Sequence, residues 1–118
     1  MINLYAFTYP SAVAKFKSSG YILTKVGDTK REVQTRLNEQ GGSASYEIKE
    51  VVGEWKNLQR IQRDYEVHRV LTQRGLHHRA AEGTEWFKLP GATLEDARKY
   101  IDDVVTMLEG GKVRDAVK

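Results

Sequence analysis

Thr24-Lys25-Val26-Gly27-Asp28-Thr29-Lys30-Arg31 reads as a strand that stops on a glycine, turns through polar residues and opens a helix rich in positive charge. Tyr21–Val26 supplies the strand and Gly27-Asp28-Thr29 its exit turn. Asp28 or Thr29 is suited to cap the following helix, with Glu32 in its first turn and Val33 and Leu37 as an apolar i, i+4 pair. Gly41-Gly42 ends that helix. Lys25, the strand-end glycine and Arg36 are thereby gathered round one spot, an arrangement that suits a phosphate group.

On either side of this stretch, alternation and breakers divide the chain. Residues 2–8 are short, aromatic-rich and stopped by Tyr9-Pro10, which predicts a first strand. Residues 11–20 read as a loop or a single helical turn. Ala44–Val52 alternates and predicts a third strand, ended by Gly53. From Glu54 to Arg74 there is neither glycine nor proline, and Leu58, Ile61, Tyr65 and Leu71 recur at helical spacing, which predicts one long helix closed by Gly75. Leu76–Gly83 reads as a basic loop, Glu85–Leu89 as a short strand and Pro90-Gly91 as a turn. Thr93 is a natural N-cap, followed by Glu95 and Asp96, for a helix running to about Leu108 and ended by Gly110-Gly111. The order predicts an α/β (α+β) fold: a small, mainly antiparallel sheet of three to four strands packed with three helices. Residues 1–109 form the predicted domain, and 110–118 a tail or the start of a linker.

Composition narrows the function. The chain has 118 residues and 40% hydrophobic content, enough for one core. No apolar run approaches the ~20 residues of a membrane span, and no basic leader with a hydrophobic segment opens the chain, so a cytoplasmic protein with no membrane partner is expected. The absence of cysteine excludes disulfides and thiolate metal sites. Nucleotide-binding loops, a Gly-x-Ser-x-Gly elbow and a His-Glu-x-x-His helix are also missing. The net charge is +3, but the bases cluster early and centrally while Glu95, Asp96, Asp102, Asp103 and Glu109 gather near the end. That separation predicts one basic face for a polyanionic partner. Lys30 and Arg31, and the loop residues His77, His78 and Arg79, are the expected phosphate contacts.

Asp64 and His68 are four apart, neighbours on one helix face and close to its apolar stripe. Such a placement is costly without partners. Either the two side chains bond to one another, or Asp64 is a carboxylate metal ligand with an imidazole beside it. Glu66 is the other available acid, about 200° round the helix from Asp64, and only one of them can point at a shared site.

Taken in order, Leu4-Tyr5-Ala6-Phe7-Thr8, Lys25-Val26-Gly27-Asp28-Thr29, Arg36 nine positions after Gly27, Asp64-Tyr65-Glu66-Val67-His68 and Glu85-Trp86-Phe87 resemble the GIY-YIG endonuclease superfamily. The likeness is to its phage-type branch, where the second motif reads lysine-hydrophobic-glycine, and it runs from about Leu4 to Leu89. The resemblance implies a metal-dependent DNA endonuclease domain using Mg²⁺ or Mn²⁺. Tyr5 would bind or activate the attacking water, Lys25 would lie near the scissile phosphate, and Arg36 would steady its negative charge. Asp64 would hold the metal with His68 beside it, although the family usually has glutamate there. The alternative is a catalytically inactive nucleic-acid-binding module of a larger DNA-processing protein. In both cases a fused or partner domain would supply specificity.

Overall fold

A computed structural model describes residues 2–10, 19–30, 50–78 and 86–110, and everything below concerns those residues. Four strands, β1 (Ile2–Thr8), β2 (Tyr21–Thr29), β3 (Glu50–Leu58) and β4 (Trp86–Pro90), form one antiparallel sheet in the order β3-β1-β2-β4. Two helices, α1 (Tyr65–Gln73) and α2 (Leu94–Leu108), complete the described architecture. The α+β class stands as expected. The third helix, expected from Asp28 or Thr29 to Gly41-Gly42, falls largely outside the described residues, but its two cap candidates lie within β2. No described helix is long and apolar enough to cross a membrane.

Alternation sorts the side chains onto two faces. Leu4, Ala6, Ile22, Val26, Phe87 and Leu89 join Val67 and Leu71 of α1 and Ala97, Ile101, Val104 and Val105 of α2 in the main core. Tyr5 and Phe7 form a second buried group with Tyr9 and Trp86. Because β1 is buried on both faces, its sequence is a near-continuous apolar run.

Two glycines were expected to end strands, and neither does. Gly27 pairs with Tyr5 in mid-sheet, and a Cβ there would overlap the tyrosine's hydroxyl and ring. Gly53 pairs with Ala6, and a Cβ there would come within 2.7 Å of the Trp55 ring. Each marks a close approach of a large aromatic to the backbone, not a turn.

The single helix expected over Glu54–Arg74 is also corrected. Glu54 to Leu58 continue β3, and α1 begins only at Tyr65. Leu58 and Ile61 are core anchors at the strand end and in the connection, 7% and 1% exposed, so the apolar spacing belongs to no one helix. Asn57 takes a positive φ of 57° and donates its N–H to the Asn3 side chain, at the register shift after which β3 pairs with β1 again through Leu58 and Ile2. Tyr65, counted in the apolar stripe, is 52% exposed, and the buried stripe is Val67 and Leu71.

β4 and α2 follow the sequence closely. Thr93 Oγ1 accepts from Asp96 N at 3.1 Å, and Asp96 Oδ2 accepts from Thr93 N at 3.2 Å, a reciprocal cap. At the other end Glu109 reaches back to β3's exit. Its carboxylate accepts the backbone N–H groups of Gln59, Arg60 and Ile61 at 2.8, 2.9 and 2.8 Å.

Candidate functional site

Four of the ten expected site residues, Tyr5, Lys25, Asp64 and His68, lie round β2. Tyr5 faces Gly27 and Phe7 faces Lys25 across the β1–β2 ladder, while Trp86 of β4 lies on the other side of Lys25. Paired residues share a face, so Tyr5, Phe7, Lys25 and Trp86 stand together on the side away from the main core. The Tyr5 and Phe7 rings stack at 6.1 Å with 13° between their planes, and Phe7 meets Trp86 edge-on at 6.1 Å. The Lys25 ammonium lies 5.9 Å from the Phe7 ring centre. Its stem is held along aromatic surface while the charge stays at the margin.

The second half of β2 is approached from its other side by α1. β4 pairs with β2 only as far as Lys25, so Val26 to Thr29 have no β4 partner. His68 fills part of that edge: its Nε2 lies 2.8 Å from the Val26 carbonyl, and its ring packs 5.1 Å from Phe87. A carbonyl oxygen only accepts, so Nε2 carries a proton in this contact. Asp28 holds the start of the helix. Its Oδ2 accepts Asp64 N at 2.7 Å and Arg63 Nε at 2.9 Å. That hydrogen bond, and then the charge of Asp28, raise the Arg63 guanidinium above its ordinary value.

Asp64 is the N-cap residue of α1, yet its side chain makes no cap bond to its own helix. Glu66 does the neighbouring backbone's work, accepting Gln62 N at 2.7 Å and Arg63 N at 3.4 Å. Of the two acids, Glu66 is therefore engaged in local structure. The His68 ring directs its Nε2 to Val26. No cluster of three or more His, Asp or Glu side chains suited to a metal occurs among the described residues. Asp64 is still chemically suited to Mg²⁺ or Mn²⁺, since Mg²⁺ is commonly held by one or two carboxylates together with water and substrate phosphate.

Arg36, Arg31 and Arg79 lie outside the described residues. Lys30 is exposed just past β2. His77 and His78, expected in a loop, run along β4: His77 bridges to Phe87, and His78 N donates to Trp86 O at 3.0 Å. The His77 ring lies 5.5 Å from Phe87, so both histidines are half-buried beside the core.

Sequence reasoning missed two residues here. Asp28, one of the two expected caps of the following helix, instead anchors α1, far along the chain. Glu54 stands opposite Tyr5 across the β1–β3 ladder, with Lys56 Nζ 3.7 Å from its carboxylate. Nothing local signals either, because both depend on which strands pair and in what register.

The T5orf172 domain model matches residues 4–105, most of the chain. That domain is phage-associated and related to GIY-YIG- and HNH-like nucleases. No curated protein and no solved structure matches.

Proposed function

The chain belongs to the T5orf172 domain family, a nuclease-like or DNA-binding module, and from that premise we propose that it is a metal-dependent DNA endonuclease domain of GIY-YIG type. The observation that carries the reading is the convergence on Val26–Asp28 of β2: Tyr5 and Lys25 on one face, His68 and the Asp64 end of α1 at the open edge. Residues from three elements, far apart in sequence, surround one backbone segment.

In this reading Lys25 binds a non-bridging phosphate oxygen and opposes the negative charge that grows there. Tyr5 orients the attacking water through its hydroxyl, and the absence of a side chain at Gly27 gives the ring its place. Asp64 would hold the divalent cation, which when bound neutralises charge on the scissile phosphate. His68, tied through Nε2 to the backbone of β2, is a positioning residue that sets α1 against the strand. Arg36 remains the proposed second phosphate contact, and Lys30, Arg31, His77, His78 and Arg79 the proposed wider ones.

One observation favours the second reading, a catalytically silent DNA-binding module: Tyr5 is 1% exposed, which restricts a water's access to its hydroxyl. Nicking of supercoiled DNA in Mg²⁺, Mn²⁺ or EDTA separates the two. Metal-dependent nicking by the wild type, lost in Lys25→Ala and in Asp64→Ala with DNA binding kept, is the expected result. Salt-sensitive binding with no cleavage under any condition would establish the silent module instead.

A further inference from the structure

The outer side of α1 carries an aromatic that core packing does not explain. Tyr65 opens the helix half-exposed, while Val67 and Leu71 take the buried side. One turn on, the Arg69 guanidinium lies 5.7 Å from the Tyr65 ring centre, and Arg69 is itself exposed. Arg63, exposed just before the helix, is already paired with Asp28 at 2.9 Å. The acid of the first turn, Glu66, is folded back onto the Gln62 and Arg63 amides. The face therefore holds a ring that is left largely in water, with the Arg69 cation beside it.

We infer that Tyr65 and Arg69 form a stacking platform for an unpaired nucleobase, so that the DNA taken has single-stranded or splayed nucleotides beside the phosphate held at β2. The inference rests on the DNA-processing reading above and narrows its substrate class. A continuous duplex keeps its base faces inside the stack, so an exposed tyrosine gains nothing from it. An unpaired base offers a π-face of any sequence, and a tyrosine flanked by arginine suits such a base and its phosphate. Arg69, exposed beside the ring, supplies the cation that complements the phosphate of such a nucleotide. Tyr65 directly follows Asp64, which puts the platform one residue from the proposed metal-binding carboxylate.

The test is equilibrium binding of the full chain, in EDTA so that no cleavage intervenes. The probes are a labelled blunt duplex and the same duplex with a frayed single-stranded end. Wild type should prefer the frayed DNA. Tyr65→Ala should lose about 5- to 150-fold in affinity for it, the range of one base–aromatic stack, with blunt-duplex binding changed less than about twofold. Tyr65→Phe, which keeps the ring, should retain the preference. If Tyr65→Ala leaves frayed-end binding intact, or weakens both probes alike, the platform is wrong and the DNA-binding reading survives. Loss in Tyr65→Phe equal to that in Tyr65→Ala would assign the effect to the hydroxyl and overturn stacking. Absence of salt-sensitive binding to either probe by the wild type would overturn the DNA reading, and the platform with it.

Discussion

Tyr5 lies across Gly27 on a buried sheet face, and the fit leaves no room for a methyl group. The ring is 1% exposed, so it cannot swing into solvent to relieve a clash. Gly27→Ala should cost about 1–3 kcal/mol, as overpacking in a filled core does, and should abolish nicking by displacing the tyrosine. Thermal unfolding checks the first part, and an unchanged midpoint would show that the ring has somewhere to go. The His68 contact gives a second expectation. His68→Leu removes the donor to the Val26 carbonyl and should lower stability by about 1–2 kcal/mol, read as a shift of the urea midpoint at constant slope. A midpoint equal to wild type would mean that water replaces the ring at no cost. At this scale the sequence was informative where a residue's type alone implies chemistry. Tyr5, Lys25, Asp64 and His68 could be singled out by type and order, and the structure brings them round one segment of β2. Glu54 could not, because its place opposite Tyr5 depends on a cross-strand register that includes a bulge between Ala6 and Phe7.

Among the elements, α2 was legible at both ends because its signals are local: Thr93 and Asp96 cap one end and Gly110 closes the other at a φ of +79°. The stretch after Gly53 was not, since a strand with a left-handed Asn57 and a connection anchored by Leu58 and Ile61 mimic helical spacing. What holds that connection in place is distant in sequence. Burial raises the Glu109 carboxyl, but the backbone N–H groups of Ile61, Gln59 and Arg60 outweigh it and hold the group below its ordinary value. A folded-state value below the unfolded one gives stability that is fully present above the unfolded value, about pH 4.3, and is lost as the pH falls through the folded value. Asp96 is lowered too, by the Ala92 amide first and the Thr93 hydroxyl next, and adds acid sensitivity of the same sign. Glu109→Gln should therefore melt below wild type at pH 7, and the gap should narrow between pH 5 and 3 as the wild-type carboxylate protonates. A gap constant across that range would remove the charge from the explanation and leave only shape.

Over the whole molecule, the sheet separates two environments. Both described helices pack on the Leu4–Ala6 face, while Tyr5, Phe7, Lys25 and Trp86 occupy the other, and α1 reaches the boundary at the open edge of β2. The net charge of +3 is too small to attract DNA without a favourable arrangement. The arrangement differs between the helices: α1 presents Arg69 beside Tyr65, whereas on α2 Arg98 is matched by Glu95 at 3.6 Å. Arg69→Glu and Arg98→Glu change the net charge by the same amount, so comparing them separates local field from overall charge. If the α1 face is the docking side, Arg69→Glu should weaken DNA binding at least about tenfold at low salt and reduce the log–log salt slope by about 1, the signature of one lost phosphate contact. Arg98→Glu should stay within about twofold of wild type, because that side chain meets no phosphate and its charge is already compensated on its own helix. Equal losses from both would mean that DNA responds to net charge alone, and would move the docking side off α1.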